Sequence, residues 1–167
     1  PSRVLSLERQ MVQSGLIPYK DIARLCLRLH RLGKRIVFTN GVFDILHAGH
    51  VQYLTKARSF GDLLILGLNS DASVQRLKGP KRPLQNQRDR AKILLGLKAV
   101  DYVVIFGEDT PQKLIEQVRP DVLVKGADYK ISEIVGADFV RANGGTVRRV
   151  RLLDGRSSTR LLKLLTE

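Results

Sequence analysis

A change of pattern between Arg35 and His50 constrains this chain more than any other feature. Ile36, Val37 and Phe38 are contiguous, apolar and β-prone, the pattern of a strand buried on both faces. Asn40-Gly41 breaks the run with a turn signal. Gly49 and His50 then open an apolar-periodic segment that runs to about Ser59 and predicts a helix. A strand feeding a glycine-containing turn and then a helix start brings free backbone N–H groups and the positive end of a helix dipole to one point. Such a point suits a phosphate. His47 and His50 are three residues apart, so a helical first turn sets them on one face, where imidazoles can donate to phosphoryl oxygens.

The alternation of strand and helix continues along the chain. Ile22, Leu25, Leu29 and Leu32 have helical spacing, with Asp21 as a cap and Gly33 as a stop. Leu5, Leu7 and Met11 leave a second short helix open. Further strands are predicted over 62–68, 102–106, 122–124 and 146–150, the last more polar and therefore at an edge. Helices are predicted over 71–77 with Asp71 as cap, over 86–96, and over 110–118 from a Thr110-Pro111 start. Two more are expected over 132–143 and 157–165. Residues 78–83 are basic, rich in Gly and Pro, and read as a loop. Strands alternating with helices imply an α/β fold, a doubly wound parallel sheet with ligands beyond the carboxyl ends of its strands.

The chain has 167 residues, one domain by size, and a single cysteine, so no internal disulfide is available. No apolar run approaches the length of a membrane span, and a cytoplasmic protein is expected. The formal net charge is +13, which steers anions toward the surface and fits phosphorylated substrates. The charges are scattered rather than gathered in a tail, and no Trp is present for stacking on bases. Small-molecule substrates are therefore expected, with neither a nucleic acid nor a membrane as partner; a homo-oligomer is left open.

Gly41-Val42-Phe43-Asp44 followed by His47-Ala48-Gly49-His50 resembles the cytidylyltransferase-like nucleotidyltransferases, whose mark is His-x-Gly-His. The likeness runs from about Leu25 onward. It includes Asn69-Ser70-Asp71, Leu77-Lys78-Gly79-Pro80, Arg82-Pro83, Val124-Lys125-Gly126-Ala127-Asp128-Tyr129 and Ser157-Ser158-Thr159, all in the family's order. The resemblance implies a Rossmann-like five-stranded sheet of order 3-2-1-4-5, with the switch between strands one and four. Residues 1–33 would then be an N-terminal helical extension, docking, dimerising or simply covering the sheet, and residues 34–167 the nucleotidyltransferase domain.

The resemblance assigns His47 and His50 to the transition state at the α-phosphate, as hydrogen-bond donors and not as nucleophiles. Zinc is a poor alternative, because two histidines without a nearby Cys or third His lack the ligand count. Lys78 is expected to close over the phosphates and neutralise charge. Nucleotide contacts are expected from Thr39, Asn40, Gly41, Val42, Phe43, Gly49, His50, Arg88, Lys125, Gly126 and Asp128, with Ser157, Ser158 and Thr159 as a second phosphate site. Asp44, Asn69 and Lys78 are expected to face the acceptor, although Asp44 could equally cap its own turn. No metal-ligating residue is assigned, so Mg2+ would be held mainly by the phosphates of ATP. Two positions depart from the commoner family wording: Arg160 follows Thr159 where a second threonine is usual, and Val42 stands where near relatives often have cysteine.

Within the family the chain is most similar to adenylyltransferases that make ADP-heptose, a lipopolysaccharide precursor. The reaction this implies joins ATP and D-glycero-β-D-manno-heptose 1-phosphate and releases pyrophosphate. Such proteins often carry a sugar-kinase domain ahead of this one, which would lie in a separate protein or outside this chain. A cytidylyltransferase for a polyol phosphate such as glycerol 3-phosphate, a nucleotide sensor without turnover and a basic nucleic-acid-binding module are the alternatives.

Overall fold

A computed structural model describes residues 14–151. The Ser157-Ser158-Thr159 site, the last predicted helix and the segment holding Leu5, Leu7 and Met11 lie outside the described residues. In chain order the elements are α1 (Ile22–Arg31), β1 (Ile36–Gly41), α2 (Ala48–Arg58), β2 (Leu63–Asn69), α3 (Asp71–Lys78) and α4 (Gln87–Leu95). Then follow β3 (Tyr102–Phe106), α5 (Gln112–Val118), β4 (Val122–Gly126), α6 (Ala137–Ala142) and β5 (Thr146–Val150).

The strands form one parallel sheet of order β3-β2-β1-β4-β5, the order the resemblance implied, and its direction reverses between β1 and β4. The period of two along each strand sorts side chains to two cores. Ile36, Phe38, Leu63 and Ile65 meet Ile22 and Cys26 of α1, Leu114, Ile115 and Val118 of α5, and Val140 of α6. Val37, Leu64, Leu66 and Val103 meet Tyr53, Leu54 and Ala57 of α2, and Ala91 and Leu94 of α4. Helices thus cover both faces, and the central strands read as unbroken apolar runs because neither face meets water.

The polar strand β5 lies at one end of the order. At the other end β3 carries a short annex, which pairs in parallel through a bridge between Leu16 and Val103. Ile17 N donates to Val103 O, and Val103 N donates to Gly15 O, each at 2.9 Å. With Ile17, Ile22 and Cys26 in the core, the described part of the N-terminal segment is packed into the same body as the sheet.

Several local expectations are corrected. Ser70, not Asp71, caps α3, its hydroxyl accepting from Ser73 N at 3.2 Å. Pro111 rather than Thr110 stands at the cap of α5, without a side-chain hydrogen bond. Asp21 stands at the N-cap of α1, but its carboxylate pairs with Arg24 at 3.0 Å and makes no capping hydrogen bond. The helix expected over 132–143 is a 3-10 turn (Ile131–Glu133) followed by the short α6. Gly136 separates them at φ 83°, where a Cβ would come within 2.6 Å of Ile115 Cδ1.

Candidate active site

The turn after β1 is built around two close approaches. Phe43 has φ 46°, a left-handed conformation that a bulky residue rarely adopts. Its ring packs so near Gly41 that a Cβ there would lie 2.8 Å from Phe43 Cε2. The other side of that ring meets His50 edge-on, with centroids 5.3 Å apart. His50 in turn stacks on His47 at 4.0 Å and 27°. His47 is the N-cap of α2, and its Nδ1 accepts from Gly49 N at 3.1 Å. One imidazole therefore closes the helix end, and its neighbour is held against it.

His50 lines a cavity of about 500 Å³ at the carboxyl ends of the strands. Its Nδ1 is buried with no hydrogen-bond partner among the described residues. Burial first, and then the charges of His47 and Lys78, push the His50 imidazole down to about 4, so it is neutral at pH 7. A buried imidazole nitrogen with no protein partner nearby can donate to, or accept from, a group bound in the cavity.

Across the switch point, Lys125 at the end of β4 lines the same cavity. Its Nζ donates to Asn40 Oδ1 at 2.5 Å and lies 5.8 Å from the Tyr129 ring. Burial pushes the Lys125 ammonium down to about 8, opposed by the carboxylate of Asp128. Lys78, exposed at the end of α3, supplies a further positive charge on the cavity wall.

Asp44 is buried, and its carboxylate is already engaged. Oδ1 accepts from Leu84 N and Gln85 N, each at 2.9 Å, and Arg82 Nε lies 2.8 Å from Oδ2, off the hydrogen-bonding axis. Burial alone would raise its pKa, but the Gln85 and Leu84 amides and the Arg82 charge outweigh it and hold the carboxyl below the usual range. Asp44 thus straps residues 82–85 to the histidine turn through its carboxylate, while still forming part of the cavity wall.

Of the residues expected at the site, Asn40, Gly41, Val42, Phe43, Asp44, His50, Asn69, Lys78, Lys125, Gly126 and Asp128 line the cavity together. Thr39 does not: it is fully buried, donating to Val124 O at 3.0 Å and sharing a 2.8 Å hydrogen bond with the Tyr53 hydroxyl. Gly49 is buried with its N–H given to His47, and Arg88 is exposed away from the cavity. His47 stands behind His50 rather than on the wall.

Tyr53, Leu77, Asp109 and Pro111 also line the cavity and were not anticipated. Tyr53 follows His50 by three residues on one helix face, and Asp109 and Pro111 follow the carboxyl end of β3, so both signals were present in the spacing. Among the described residues no group of three His, Cys, Asp or Glu could hold a metal ion.

A parallel sheet that opens at its β1–β4 switch onto stacked imidazoles, with lysines on the cavity wall, offers a site of the kind that suits a phosphorylated small molecule. The chain belongs to the cytidylyltransferase-like family, whose pattern matches residues 38–146, and is a nucleotidyltransferase with a nucleotide substrate. It is 51% identical to the bifunctional protein HldE of Aliarcobacter butzleri over 97% of this chain and 33% of that protein. It is 62% identical to the bifunctional protein HldE of Geobacter sulfurreducens over 78% of this chain and 27% of that protein. The chain therefore spans about a third or less of the length of these curated relatives. Among solved structures it is similar to a lipopolysaccharide core biosynthesis protein from Thermoplasma volcanium. That match has a TM-score of 0.58 and 32% identity, and covers 72% of this chain and 98% of the other.

Proposed function

We propose that this domain transfers AMP from ATP to a sugar 1-phosphate, D-glycero-β-D-manno-heptose 1-phosphate, giving ADP-heptose for lipopolysaccharide core synthesis. The observation that carries the reading is the neutral His50 ring, stacked on His47, with a nitrogen that has no partner among the described residues, at a cavity also lined by Lys78 and Lys125. The name of the similar protein from Thermoplasma volcanium supplies the direction toward lipopolysaccharide.

In this reading an oxygen of the sugar phosphate attacks the α-phosphorus of ATP in line. The new P–O bond forms as the bond to the bridging oxygen breaks, and pyrophosphate leaves with that electron pair. His50 hydrogen-bonds an α-phosphoryl oxygen, and His47 fixes its ring. Lys78 closes over the leaving phosphates, and positioning with charge neutralisation supplies the rate. Asn40, Gly41, Val42, Phe43, Lys125, Gly126 and Asp128 hold the nucleotide, with Ser157, Ser158 and Thr159 on its outer phosphates. Asn69 and the wall around Asp44 face the acceptor. The described residues offer no ligand cluster for a metal, so Mg2+ would arrive on the triphosphate. The setting is cytoplasmic, where ATP is supplied; no helix among the described residues is long and apolar enough to cross a membrane.

The family's name favours one second reading, a cytidylyltransferase for a polyol phosphate such as glycerol 3-phosphate. Pyrophosphate release measured with ATP or CTP, each paired with heptose 1-phosphate or glycerol 3-phosphate, separates the two. Turnover is expected with ATP and heptose 1-phosphate; preference for CTP and glycerol 3-phosphate moves the assignment, and silence with every pair removes it.

A further inference from the structure

We infer that Arg90 is a positioning residue, which fixes the spacing between the histidine turn and the helix that carries Lys78. Its guanidinium is fully buried on the inner face of α4, one residue from Ala91 and one turn from Leu94. An apolar side chain would fill that face without desolvating a charge. Arg90 instead directs four N–H donors at four acceptors on three segments of the chain. Nε donates to Gln85 O at 2.9 Å, and Nη1 to Val42 O at 2.7 Å and Asn69 O at 2.9 Å. Nη2 donates to Asp71 Oδ1 at 2.7 Å.

The choice of acceptors carries the argument. The pairing of β1 with β2 ends at Gly41 and Leu68. Val42 and Asn69 are the next residue on each strand, and Nη1 touches both carbonyls. The guanidinium thus takes over where the backbone ladder stops, at the level where the strands enter the cavity wall. Val42 leads into the turn that places His50. Asp71 opens α3, whose last residue is Lys78. One planar fork therefore sets the distance between the groups that face the nucleotide. A lysine, with one point charge on a flexible stem, cannot bridge the same four acceptors.

Only the kinetic test rests on the adenylyl-transfer reading. Arg90→Lys is compared with Leu94→Ala, which opens a cavity on the same helix without touching the site. Both are assayed well below their melting temperatures. Arg90→Lys is expected to lower kcat by about 10- to 100-fold, with KM for ATP changing less than about threefold, as misplacement of groups already in the site does. Leu94→Ala is expected to melt earlier and keep its kcat. By NMR the His50 ring is expected to titrate closer to 6.5 than to its native value of about 4 in Arg90→Lys, and to stay in Leu94→Ala.

Unchanged kcat and His50 titration in Arg90→Lys overturn the inference, as does an equal kcat loss in Leu94→Ala. Should Arg90→Lys fail to fold, Asp71→Ala removes one of the four bonds. A loss of kcat of about threefold or more and a moved His50 titration then support the inference, and native behaviour in both overturns it. The NMR arm needs no turnover, so a wild-type protein inactive with every nucleotide would sink the adenylyl-transfer reading and leave Arg90 to be decided by the titration.

Discussion

The two ends of the sheet treat polar groups in opposite ways. At the amino ends, an aspartate just before a strand accepts a backbone N–H from the start of its neighbour. Asp62 takes Arg35 N at 2.6 Å, Asp101 takes Leu64 N at 2.7 Å, and Asp121 takes Ile36 N at 2.7 Å. Asp101 is further paired with Arg58 at 2.8 Å. At the carboxyl ends, His50 keeps a buried nitrogen without a partner among the described residues, and Lys125 is held where its charge is disfavoured. One end is complete as folded; the other leaves hydrogen-bonding capacity open to a substrate. The difference teaches where stability and chemistry reside, since groups that serve catalysis are the ones left incompletely satisfied by the fold.

The largest effect expected from breaking this contrast is at His50. His50→Ala should reduce pyrophosphate release by roughly 10²–10³-fold, the scale of losing one preorganised donor, while the melting temperature changes little. Loss of folding in step with activity would erase the distinction between the two ends. Next is Asp101→Ala, which leaves Leu64 N and Arg58 without their carboxylate. It should lower unfolding free energy by about 1–2 kcal/mol in denaturant titration, with kcat at 25 °C unchanged. The smallest effect is in the pH dependence of stability. The His50 imidazole is depressed in the folded state, so the unfolded chain binds more protons between about 4 and 6.5. Stability should rise with pH across that window, and His50→Ala should flatten the rise. An equal slope in the variant would show that His50 titrates normally.

Much of the scaffold was legible because β1, β2 and β4 are buried on both faces and so appear as contiguous apolar runs. The strand order was not readable from those runs and came only with the family resemblance. The break at Gly136 escaped because helical periodicity continues across it, and the Ile115 side chain that leaves no room for a Cβ there is 21 residues away in sequence. Thr39 reads as part of the turn, yet the sheet closes over it, and its hydroxyl serves Val124 and Tyr53. Arg88 and Arg90 look alike in sequence. Only the helix phase separates them: Arg90 lies four residues before Leu94 and points inward, whereas Arg88 faces solvent. Asp44 was expected to face the acceptor or to cap its own turn, and its engagement by Leu84 and Gln85 depends on a loop forty residues away.

The annex on β3 carries one more implication. Gly15 to Ile17 occupy a border that would otherwise show open donors and acceptors to any extended peptide. That margin of the domain is already claimed by its own chain. Strand-to-strand union of two copies there, or growth into fibrils from it, would first require peeling those residues away.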